Sequence, residues 1–153
     1  MKWITADADL YLQSKEYVDT VIIPLIPIST GTQMKNIVLN GEFISILTNE
    51  LERQFKGRVF LIPPFTYLKD DQQLEKEFSR LIEWKNSLTG QDFKHVVYIT
   101  SDASWQQFEN EMGKALIWLP AVPLEHVDSK VKQQIMTDQI QQIVPLLLSA
   151  WRN

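Results

Sequence analysis

At 153 residues, with 44% apolar and 22% charged side chains, the chain has the length and composition of one globular domain with its own core. A net charge of −4 without a basic cluster argues against nucleic acid or an anionic lipid surface as partner, since both attract concentrated Lys and Arg. The absence of cysteine excludes disulfides, thiolate metal sites and a cysteine nucleophile, and His95 and His126 are the whole imidazole supply.

The opening Met1-Lys2-Trp3-Ile4-Thr5 turns polar at once, so it does not read as a secretory signal. The longest apolar runs, 21–28 and 143–148, fall far short of the roughly 20 residues that cross a bilayer. A cytoplasmic protein without membrane insertion is expected.

Residues 6–17 have a helical pattern, with Thr5 as cap, Asp7 and Asp9 near the positive helix end, and Leu10, Ser14 and Tyr17 on one face. The apolar run 21–28 reads as a buried strand. Pro24 and Pro27 predict a bulge, an edge position or an early end there, because proline cannot donate to a ladder. Residues 42–56 form an amphipathic pattern with Phe43, Ile44, Leu47, Leu51 and Phe55 inward and Gly57 at the stop. Residues 58–62 read as a second strand ended by Pro63-Pro64, and 71–87 as a helix with Leu74, Phe78, Leu81 and Ile82 inward. Residues 95–100 are a third strand. Ser104 and Gln107 suggest a capping box before a short helix carrying Trp105, Phe108 and Met112. Residues 115–119 are a fourth strand. Asp128 then caps a last helix with Val131, Ile135, Ile143, Val144 and Leu147 on its apolar face, and Pro145 predicts a kink or interruption.

Helices alternating with strands predict a single α/β domain over 1–153. Its architecture would be a three-layer sandwich, with a mainly parallel sheet of about four strands and helices on both faces. Ligands in such sheets sit beyond the strand carboxyl ends. The loop after the first strand offers Ser29, Thr30, Thr32 and Gln33 around one glycine. It lacks the second glycine and the lysine of a phosphate loop, and an ordinary polar connection is the favoured reading. Pro63–Tyr67, after the second strand, predicts packing of two aromatics onto the domain, or a pocket wall. Thr100, Ser101 and Asp102 follow the third strand, where helix capping competes with ligand binding. After the fourth strand, His126 beside Glu125 is the best acid–base pair in the chain, although surface placement explains it as well. His95, at a strand start, reads as structural. Trp118 reads as core, whereas Trp84 and Trp151, late in helices, are candidates for a partner surface.

Trp3, Tyr11-Leu12, Lys15-Glu16-Tyr17-Val18-Asp19-Thr20 and Ile22-Ile23-Pro24-Leu25-Ile26-Pro27 resemble the YpiF-like family of uncharacterised proteins from Bacillus and relatives. That resemblance implies a cytosolic protein whose gene lies near those of a menaquinol–cytochrome reductase, and no assigned activity. Pro27-Ile28-Ser29-Thr30-Gly31-Thr32-Gln33-Met34-Lys35 is also similar to the early loop of creatininase-like metal amidohydrolases. Pro27 and Gln33 match that loop, while Thr32 and Met34 stand where the glutamate and histidine ligands would be. Glu42 would take the place of a later aspartate ligand. A glycine- and histidine-rich loop would fall near Thr100–Ala103, without its histidine. This resemblance implies a related fold with the metal site lost.

The sequence therefore predicts no cofactor, no metal and no sequence-evident catalytic residue. It favours a non-catalytic domain binding a protein partner or a small molecule through Ser29, Thr30, Thr32, Gln33, Thr100, Ser101, Asp102 and His126, as a monomer or homodimer. The alternative is a small hydrolase with its site at the same strand ends, which requires those groups to converge.

Overall fold

In the computed structural model, which describes residues 1–90 and 92–152, β1 (Thr20–Ile28) is the central strand of a parallel sheet. Residues on both of its faces are buried, which explains the unbroken apolar run. Val21, Ile23 and Leu25 join one core, and Ile22 joins the other. One edge is built from two short strands, β2 (Val59–Leu61) and β3 (Phe65–Leu68), which pair with the first and second halves of β1. On the other side lie β4 (His95–Thr100) and β5 (Leu116–Trp118), giving the order β2/β3, β1, β4, β5. The sheet has five strands rather than about four, because the aromatic stretch after Pro63-Pro64 resumes the ladder instead of forming a loop.

Pro24 and Pro27 neither bulge β1 nor push it to an edge. The Ile22 carbonyl accepts from Ile62 N, so the even-numbered backbone groups of β1 face the β2/β3 edge. The missing N–H of Pro24 thus points at residues 62–64, where that edge has no ladder partner. Odd-numbered groups face β4, whose pairing ends at Leu25 opposite Thr100. Pro27 lies beyond that end, so neither proline removes a ladder hydrogen bond.

One face carries α2 (Met34–Gln54) and α5 (Ser129–Trp151), packed through Phe43, Ile44, Leu47 and Leu51 against Met136, Ile140, Ile143 and Leu147. The other carries α1 (Thr5–Gln13), α3 (Leu74–Thr89) and a run of 3-10 turns around α4 (Glu109–Met112), packed through Tyr11, Leu74, Leu81, Trp105 and Phe108. These are the two helical layers expected.

Several boundaries shift. α1 ends at Gln13, is preceded by Ile4 without a side-chain cap, and buries Tyr11, leaving Leu10 and Tyr17 exposed. The Thr5 cap and the Leu10–Tyr17 face are therefore wrong; Asp7 instead accepts from Lys2 N at 2.7 Å. α2 begins eight residues before Glu42, because burial of its central face carries a first turn whose own residues are exposed. It ends at Gln54, with Phe55 as its C-cap, short of Gly57. Asp102, not Ser104, caps the turn after β4 by accepting from Ser104 N. α5 starts at the expected Asp128 cap and runs through Pro145 without interruption. Pro145 and Gln141, whose carbonyl loses its donor, are both exposed, which leaves that carbonyl open to hydration. Val131 is exposed and leaves the predicted face.

The tryptophans also sort differently. Trp118 is half-buried. Trp84 packs edge-on to Phe65, and Trp151 donates to Thr20 Oγ1 at 2.6 Å beneath the Arg58 guanidinium, 3.7 Å from its ring. Trp151 fastens α5 to the sheet rather than lying free for a partner. Among the described residues no helix is long and apolar enough to cross a membrane.

Candidate functional site

The chain leaves β1 through α2 toward the β2 edge and leaves β4 toward β5. The two connections diverge and open a crevice at the carboxyl ends of β1 and β4, the place where such sheets bind ligands. A cavity of about 250 Å³ lies there, walled by Leu25 and Pro27 of β1, Asn40, Gly41 and Ile44 of α2, Lys69, Ser101 and Asp102. Gly41 permits the close helix approach, since a Cβ there would stand 2.8 Å from Ile26 Cγ2.

Six side chains from β3, the segment after it and the β4 loop lock one wall. Asp102 is buried, accepting from Tyr67 OH at 2.6 Å, from Lys69 Nζ at 2.8 Å and from Ser104 N at 3.0 Å. Tyr67 OH in turn accepts from Trp105 Nε1 at 2.7 Å. Lys69 also donates to Asp71 at 2.7 Å and to Ser104 Oγ at 2.8 Å, so its three protons are all engaged. Burial, then the Asp102 charge and hydrogen bond, push the Tyr67 phenol far up and keep it neutral. Burial opposes the Lys69 ammonium, but its bonds to Asp102 and Asp71 outweigh that and raise its pKa. Hydrogen bonds from Lys69 and Ser104 hold the Asp71 carboxyl below its ordinary value.

Of the residues expected to bind a ligand, Ser101 and Asp102 reach this cavity. Thr100 is fully buried and is occupied in the turn: its hydroxyl donates to Leu25 O and accepts from Asp102 N, both at 3.0 Å. Ser29, Thr30, Thr32 and Gln33 lie in the loop before α2, outside the cavity walls. Ser29 Oγ there accepts from Gly31 N, and Gln33 Oε1 from Asn36 Nδ2. His126 is 88% exposed at the side chain, with φ 63° and Nε2 3.2 Å from Glu125, and does not join Ser101.

A larger, mainly apolar cavity of about 570 Å³ lies on the other flank of α2, between Met34, Val38 and Phe43 and the 122–125 loop. Glu125 and Lys35 meet across its rim at 3.5 Å. Met34 and Glu42 belong to this cavity and Asp102 to the first, so α2 separates the positions that the creatininase-like resemblance would bring together. Among the described residues no group of three or more His, Asp or Glu side chains is placed to hold a metal ion.

Lys69, Asn40 and Gly41 were not found from the sequence, and Tyr67 was read there only as one of two aromatics that pack onto the domain or wall a pocket. Lys69 and Tyr67 sit on or beside a strand too short to show a period, and Asn40 and Gly41 lie in the unread first turns of α2.

Compared with curated proteins, the chain is 40% identical over 151 residues to the uncharacterized protein YpiF of Bacillus subtilis (strain 168), covering 99% of this chain and 98% of that one. No solved structure matches. Residues 9–151 match the family described as protein of unknown function DUF2487, and the chain belongs to that family.

Proposed function

We propose that this chain is a non-catalytic binding domain that holds a small polar molecule in the crevice between β1 and β4. The observation that carries this reading is Ser101: its hydroxyl oxygen is shielded from solvent and has no hydrogen-bond partner among the described residues, yet Ser101 lines the cavity. A buried hydroxyl left unpaired costs about 1–3 kcal/mol, which a ligand would relieve once the Ser101 side chain turns its oxygen into the cavity. Asn40 adds an amide donor and acceptor to the same wall. The ligand chemistry follows from the charges. Lys69 has no proton left to offer an anion, and Asp71 and Asp102 outnumber it. A neutral molecule carrying hydroxyl or amide groups fits best. Catalysis by Ser101 is disfavoured, because a serine nucleophile needs a base within hydrogen-bond reach and Ser101 has no such partner.

The test is a ligand-observed NMR screen of neutral polar fragments against the wild type and Ser101→Leu, whose side chain fills the cavity. Fragments that bind the wild type and lose contact with a folded Ser101→Leu protein are the expected result. Hits retained equally by the variant, or an empty screen, would refute the assignment.

A further inference from the structure

Outside this crevice, and sharing no residue with it, the edge of the sheet carries a second feature. At the break between β2 and β3, buried Ile62 and exposed Pro63 line a cavity of about 400 Å³ together with Trp3, Trp84, Glu83 and Leu88. That volume is within the range of small-molecule sites. Trp3 is 67% exposed, an unusual position for the largest apolar side chain. Both indoles are braced from behind by phenyl rings. Trp3 meets Phe60 with centroids 6.0 Å apart, and Trp84 meets Phe65 edge-on at 5.0 Å.

The charge beside them is a carboxylate. Glu83 makes no ion pair among the described residues. Arg80, one turn earlier on α3, is already engaged with Glu77 and the Thr66 carbonyl. Lys2 lines the adjoining cavity on the other side of Trp3, not this one. Two indoles offer π-surface, Pro63 an apolar ring and Glu83 one negative charge, with few acceptors for N–H donors. That favours a cation bearing methyl groups over a strongly hydrated ammonium.

We propose that this cavity binds a small molecule carrying a methylated ammonium group, seated on Trp3 and Trp84 with its charge toward Glu83. The site is independent of the Ser101 crevice, and either can fail without the other.

The experiment follows the five indole N–H resonances of the full chain by NMR during titration with choline chloride. Sodium chloride at the same ionic strength and 3,3-dimethylbutan-1-ol, the uncharged isostere of choline, are the controls. Choline should shift two indole resonances saturably, and these should be the ones lost in Trp3→Ala and Trp84→Phe. Trp3→Ala should weaken binding about twofold to fivefold, as removal of one exposed cation–π contact implies. Glu83→Gln should weaken choline and leave the neutral isostere unchanged. Equal binding of the isostere, indifference to Glu83→Gln in a folded variant, or no saturable shift would each overturn the proposal.

Discussion

Tyr67→Phe is the sharpest test of the buried network. The substitution removes one oxygen from a residue that is 3% exposed and leaves the ring in place. That oxygen donates to Asp102 at 2.6 Å and accepts from Trp105 Nε1 at 2.7 Å. A hydrogen bond to a charged group contributes about 1.5–3 kcal/mol, and a buried indole N–H without an acceptor costs about 1–3 kcal/mol. Trp105 is fully buried, so water cannot substitute without rearrangement. Allowing for relaxation, the variant should lose about 2–4 kcal/mol, a large part of the roughly 5–15 kcal/mol that holds a domain together. Urea unfolding followed by far-ultraviolet circular dichroism measures the loss without relying on tryptophan emission. Asp102→Asn in the same background should then cost less than in the wild type, since the two groups share one bond. A loss below about 1 kcal/mol, or strict additivity of the two changes, would show that the network does not hold the β4 loop.

The N-terminal ammonium of Met1 stands 3.0 Å from Glu52, with the two side chains 8% and 1% exposed, and also donates to Val59 O at 2.8 Å. Glu52→Ala strands that charge and should cost about 3–5 kcal/mol in the same urea assay, whereas an unchanged midpoint would mean the terminus is not seated there. Acid should also destabilise the protein. Burial raises the Asp19 carboxyl, but hydrogen bonds from Arg58 and Thr20 more than reverse this and lower it, as Lys69 lowers Asp71. A depressed carboxylate contributes stability that is complete above its unfolded pKa, near about 3.9, and is lost as pH falls through the lower folded value. The urea midpoint should therefore fall below about pH 4, and Arg58→Gln should flatten that limb; an unaltered acid slope in the variant would contradict the pairing.

Much of the fold was legible because it depends on local pattern. The unbroken apolar run of β1 announced a strand buried on both faces, and the face of α2 through Phe43, Ile44, Leu47 and Leu51 gave its inward side. Asp128 declared the start of α5 because a cap is a short-range hydrogen bond, here to Lys130 N and Val131 N. The alternation of these elements fixed an α/β sandwich, and with it the end of the sheet where a site should lie. Ser101 and Asp102 were reached by that route.

The rest was decided by contacts between residues distant in sequence. β3 is four residues long and exists because Leu25–Ile28 offer it a ladder, so propensity alone could not separate it from a loop. Pro24 and Pro27 looked incompatible with a central strand until the register set one against the Pro63-Pro64 break and the other past the end of β4. His126 and Ser101, equal candidates on paper, are parted by the path of the loop after β5, while Lys69 and Asp102, 33 positions apart, are joined. Periodicity and capping are properties of a few neighbouring residues and survive in the sequence. Which side chains face one another across a crevice depends on strand order and register, which long-range packing sets.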